Sequence, residues 1–186
     1  METPSRLDHR QPQSRKAAPR ALRLLAVVWG AGGFLALLAW ALGRLAPLFL
    51  DSLALPWAWF HWALFTVNLL LMAWFEGYRG FQQNYAPRFA ARCEYLSRQA
   101  TMLQVLLAPL VCMGFVNAPK RRVIAAWALS GGIVLIVLLY RLLPQPWRGI
   151  LDAGVVLGLA WGMAAIVWHL LVALLKGPRT DPQIAI

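Results

Sequence analysis

Residues 102–117 read M-L-Q-V-L-L-A-P-L-V-C-M-G-F-V-N, an apolar run of sixteen residues with Pro109 and Gly114 inside it. At 1.5 Å per residue such a run reaches ~24 Å as a helix, short of the ~30 Å of hydrocarbon that a full span must cross. Proline also removes an intrahelical donor and breaks the run near its middle. Whether this stretch crosses or turns back decides the threading of the whole chain.

Arginine and lysine answer that question, because positive charge concentrates on the cytosolic side of a membrane. If 102–117 crosses, the chain has five spans and places 12 basic residues inside against 6 outside. If it dips in and returns, the chain has four spans and the balance becomes 15 inside against 3 outside, namely Arg44, Arg141 and Arg148. The four-span reading carries the stronger asymmetry, with five spans as the alternative. Non-helical backbone at membrane depth must then be covered by other helices.

Composition sets this frame. The chain is 60% hydrophobic and 13% charged, with ten Trp in 186 residues, against ~45–50% apolar and ~25% charged in soluble domains. The expected fold class is therefore all-α, a polytopic membrane helix bundle. Its net charge of +11 sits at the ends of apolar runs, where orientation and anionic lipid account for it, so nucleic acid is not an expected partner. Cys93 and Cys112 form no C-x-x-C or Cys/His cluster and read as small apolar fillers, with no disulfide framework, metal or cofactor implied.

Outward from 102–117, residues 1–20 form a Pro-, Gln-, Ser- and Arg-rich stretch without apolar periodicity, a disordered basic tail ahead of a retained signal-anchor. Spans are expected at about 21–43, 56–75, 123–143 and 150–175, with a short tail at 177–186. Trp57, Trp59, Phe60 and Trp62 mark a membrane interface. Pro87 opens an amphipathic helix over 87–101 whose apolar face carries Phe89, Cys93, Leu96 and Ala100. Such a helix is expected to lie in the interface plane with its arginines toward headgroups.

Polar residues inside the spans are where function is sought first. They are His61, Asn68, Asp152 and His169, with Glu76 at an inner end. On a uniform helix His61 and Asn68 lie ~20° apart and Glu76 ~80° further round, a loose stripe facing protein rather than lipid. Gly154, Gly158 and Gly162 repeat a Gly-x-x-x-Gly pattern that favours close helix packing, within the chain or in a homo-oligomer. A faint echo links two hairpins: Gly32, Gly33, Arg44, Pro47 and Asp51 against Gly131, Gly132, Arg141, Pro144 and Asp152.

The candidate ligand or partner surface is the cytosolic middle of the chain: Glu76, Tyr78, Arg79, Gln82, Asn84, Arg88, Arg92, Lys120, Arg121 and Arg122. Arginine forks and amides there offer convergent donors for anionic lipid headgroups or a protein partner. This favours an accessory or scaffold protein. The alternatives are a small oligomeric transporter or channel using the broken segment, and a lipid-modifying enzyme with Glu76 as base and the arginines as phosphate clamps. No H-E-x-x-H, G-x-S-x-G or acidic metal pair supports the enzyme, and no catalytic residue is assigned.

The runs M-A-W-F-E-G-Y-R-G-F-Q-Q-N-Y-A-P-R-F-A-A-R (72–92), L-A-P-L-V-C-M-G-F-V-N-A-P-K-R-R (107–122) and L-P-Q-P-W-R-G-I-L-D-A-G-V-V-L-G-L-A-W-G (143–162) resemble an uncharacterised bacterial family of small multi-pass integral membrane proteins. The resemblance implies a membrane fold in the bacterial cytoplasmic membrane and brings no substrate or catalytic residue with it.

Overall fold

The computed structural model describes residues 18–116 and 118–177. The two tails therefore lie outside the described residues over 1–17 and 178–186. Every element described is helical: α1 (Arg20–Leu53), α2 (Trp59–Met72), a π-helical segment (Ala73–Tyr85), α3 (Ala86–Gln99), α4 (Met102–Leu106), α5 (Ala108–Met113), α6 (Lys120–Tyr140) and α7 (Trp147–Lys176). Three stretches are long and apolar enough to cross a membrane: Arg20–Leu53, Val123–Tyr140 and Trp147–Lys176.

The axis of the fold is an antiparallel pair. Ser52, near the end of α1, meets Gly149, near the start of α7, so the first residues of α1 and the last of α7 share one end of the bundle. The α2 rod and its π extension run parallel to α7. Asn68 faces Gly154, Glu76 faces Gly158 and Phe81 faces Gly162, the two series rising together. These four glycines leave bare backbone where the neighbouring helices press closest.

Several boundaries differ from those expected. The first helix does not stop near residue 43 but continues to Leu53 through Arg44, Pro47 and Asp51. Pro47 removes one donor, and the apolar residues that follow keep the helix going. The second expected span, 56–75, is replaced by an α-helix of 14 residues, ~21 Å long, that passes into 13 residues of π-helix. A π segment this long is rare, since the i→i+5 form usually occurs as a single-turn bulge.

Residues 102–117 do not form one helix. The break falls at Leu107, and Pro109 sits in the first turn of α5, where its missing N–H costs nothing. Gly114 ends α5 in the left-handed region at φ 86°, and the N–H groups of Gly114 and Phe115 both return to the Leu110 carbonyl. Helices of 5 and 6 residues are far too short to span. The break is covered, as depth would require. Cys112 and the Ala108 carbonyl press against α1 at Gly30, where an added Cβ would stand 2.8 Å from the Cys112 sulfur and 3.1 Å from the carbonyl oxygen.

Residues 87–101 are packed on more sides than their amphipathic pattern suggests. Pro87 opens α3 as expected, and Phe89, Cys93, Leu96 and Ala100 are fully buried. Ala90, Ala91, Arg92 and Glu94 are buried as well, so α3 packs against α1, α5 and α7, with Arg88 half-buried and Arg98 exposed. Its alanines let neighbours close in on the sides that the charges were expected to keep open. Around it Phe34, Tyr85 and Phe89 stack at centroid distances of 5.2–5.9 Å, joined by Val111 and Ile166 in one core.

By contrast α6 carries no buried residue among those described. Nothing lies within 4 Å of a Cβ added at Gly131 or Gly132. Its flank is apolar surface of the kind that lipid covers.

Candidate functional site

Of the polar residues expected in or at the ends of the spans, Asn68 and Glu76 are brought onto one seam between the α2–π rod and α7. Asn68 donates from Nδ2 to the Ile150 carbonyl at 2.7 Å. Glu76 lays its carboxylate against Gly158, and Trp161 donates from Nε1 to Gln82 Oε1 at 2.9 Å. A uniform α-helix would set Asn68 and Glu76 ~80° apart. Each π turn takes up more residues than an α turn, which swings Glu76 back onto the face that Asn68 already occupies.

At one end of this seam His61 is buried, accepting on Nδ1 from the Ala58 N–H at 3.0 Å, with the Trp147 ring edge-on at 5.0 Å. Asp152 is buried too, with Oδ2 3.5 Å from Arg148 Nε. His169 lies seventeen residues further along α7, half-buried. His61, Asn68 and Glu76 are thus occupied by packing, while Asp152 Oδ2 makes no hydrogen bond among the described residues. Among the described residues no group of three His, Cys, Asp or Glu side chains could hold a metal.

The basic face divides into surface and interior. Asn84 donates from Nδ2 to the Arg79 carbonyl at 2.6 Å and accepts on Oδ1 from Arg88 Nη2 at 3.4 Å. Arg79, Gln82 and Asn84 are exposed and Arg88 half-buried, while Tyr78 stacks on Trp74 at 5.4 Å. Lys120 and Arg121 are exposed on the first turn of α6, and the Arg122 side chain lies outside the described residues. Arg92 departs from this set. It points inward, donating from Nη1 to the Cys112 carbonyl at 3.4 Å and filling the space over Gly114.

One contact carried no signal in the sequence. Cys93 and Cys112 lie 3.3 Å apart, sulfur to sulfur, both buried. Sequence spacing could not show this, because the turn at Thr101 and the break at Leu107 bring the two together. The shared hydrogen bond and the burial hold the Cys93 thiol well above its ordinary pKa. The three glycines of α7 take Asn68, Glu76 and Phe81 of the same chain, the within-chain packing that their Gly-x-x-x-Gly spacing allows.

No family model, curated protein or solved structure matches this chain.

Proposed function

We propose that this chain is an integral membrane accessory or scaffold protein whose basic face, within 76–101 and 118–122, binds a protein partner or anionic lipid headgroups. In this reading α1, the α2–π rod, α6 and α7 cross a bacterial cytoplasmic membrane and both termini are cytoplasmic. The observation that carries it is the Arg79–Asn84–Arg88 cluster. It stands at the surface with amide and guanidinium donors together, while the polar groups of the α2–α7 seam are taken up by helix packing. Guanidinium forks suit carboxylate and phosphate oxygens.

The test is co-purification of lipid and protein with R79Q/R88Q against the parent chain in an uncharged detergent. Arg92 is left intact because it is buried. The double variant should lose a bound partner or lipid at least tenfold, and unchanged recovery would remove the proposal.

A second reading, a small transporter, draws on the π segment around Glu76, since π geometry frequently accompanies functional sites. Liposomes holding the purified chain would have to move a labelled solute or protons. E76Q would then abolish that flux, and a flux indifferent to E76Q would dismiss the reading.

A further inference from the structure

The echo between the two hairpins acquires a physical meaning at the far end of the bundle. There a cleft of about 590 Å3 is bounded by the α1 stretch 43–48, by the end of α6 and by the start of α7. Its cations are Arg44, Arg141 and Arg148, the three basic residues that the charge count places together on one side of the membrane. Asp152 and Tyr140 complete the polar lining.

Asp152 is ion-paired with Arg148, Oδ2 to Nε at 3.5 Å, with no hydrogen bond on that oxygen among the described residues. Among the described residues Arg44 and Arg141 have no ion pair. The lining therefore keeps two uncompensated positive charges, and a concave, partly apolar wall focuses their field. Arginines that only snorkel to an interface need not share a cavity. Here three from three helices do, in a volume within the ~300–1,000 Å3 typical of ligand sites.

We propose that this cleft is a binding site for a phosphate group, held by the forks of Arg44, Arg141 and Arg148, with Asp152 as the positioning residue that orients Arg148. Phosphate fits better than a carboxylate because three forks can each meet a different face of a tetrahedral oxyanion. Leu45, Leu48, Val137 and Val155 add apolar wall beside it, so an acyl chain on the same molecule would also be accommodated. The phosphate can come from a lipid headgroup or from a soluble compound.

The experiment uses the full chain, delipidated in an uncharged maltoside detergent. Native mass spectrometry follows retention of phosphatidylglycerol and of phosphatidylcholine, and thermal melting follows added inorganic phosphate. The parent chain should retain phosphatidylglycerol about tenfold better than R44Q/R141Q, and better than it retains phosphatidylcholine, whose phosphate charge is compensated. In the R79Q/R88Q background, R44Q/R141Q should lower phosphatidylglycerol retention by the same factor as in the parent, which separates this cleft from the proposed cytosolic face. Inorganic phosphate that raises the melting temperature of the parent but not of R44Q/R141Q, with no added effect of lipid, makes the source soluble and supports the same site. Equal phosphatidylglycerol retention by parent and R44Q/R141Q, with no phosphate response in either, overturns the proposal. If R44Q/R141Q melts below the parent before any ligand is added, R44K/R141K decides. It keeps both charges and loses the forks, so retention should fall at least threefold, and undiminished retention overturns the site.

Discussion

Gly162→Ala tests the seam on which the helix arrangement depends. A Cβ at this position would stand 2.6 Å from Phe81 Cγ and 2.7 and 2.8 Å from the two Cδ atoms. These are atoms of a rigid ring, which cannot yield as the end of a flexible chain can. Overpacking of this kind costs about 1–3 kcal/mol, and the better helix propensity of alanine returns about 1 kcal/mol. The net expectation is a loss of up to about 2 kcal/mol, which at that limit lowers the melting temperature of a chain of this size by about 4–8 °C. Gly131→Ala is the matched control, because nothing lies within 4 Å of its added Cβ. It should melt at or slightly above the parent. Tryptophan fluorescence during heating in detergent reads both, and F81A should recover part of the Gly162→Ala loss as a coupling of about 0.5–3 kcal/mol. A Gly162→Ala protein as stable as Gly131→Ala, with no coupling to F81A, would refute the packing of Phe81 on α7.

Arginines of the same stretch should behave differently. R92M removes a buried donor to the Cys112 carbonyl and should destabilise by about 1.5–3 kcal/mol, whereas R79Q, at an exposed position, should stay within about 0.5 kcal/mol of the parent; equal melting of the two would place Arg92 at the surface. Cys93 and Cys112 should both resist maleimide at pH 8 in the folded chain, since each is buried and Cys93 is held protonated by its bond to Cys112 and by burial. Both should react once the protein is denatured in dodecyl sulfate, and rapid labelling of either in the folded state would contradict the α3–α5 contact.

The sequence reveals the parts of this fold that depend on composition along one helix. Apolar length identifies α1, α6 and α7, Pro87 marks the start of α3, and the spacing of Phe89, Cys93, Leu96 and Ala100 identifies its buried face. What it hides depends on residues distant in the chain. The backbone stays helical through Gly77 and Gly80, and Glu76 and Phe81 find their places on α7. Arg92 reads as a surface charge, and its acceptor, the Cys112 carbonyl, lies twenty residues away. The two arginines of the hairpin echo, Arg44 and Arg141, are visible in the sequence, but only the fold puts them along one cleft.

The threading itself is open to a direct measurement. Ser52 meets Gly149, so α1 and α7 are antiparallel, and each of the two helices that meet at Leu107 is too short to cross by itself; the proposed four-span threading puts both termini in the cytoplasm. A fluorescent protein that matures only in the cytoplasm, fused before Met1 in one strain and after Ile186 in another, should glow in both. Fluorescence from one fusion and darkness from the other, at equal expression, would mean an odd number of crossings and would contradict the account.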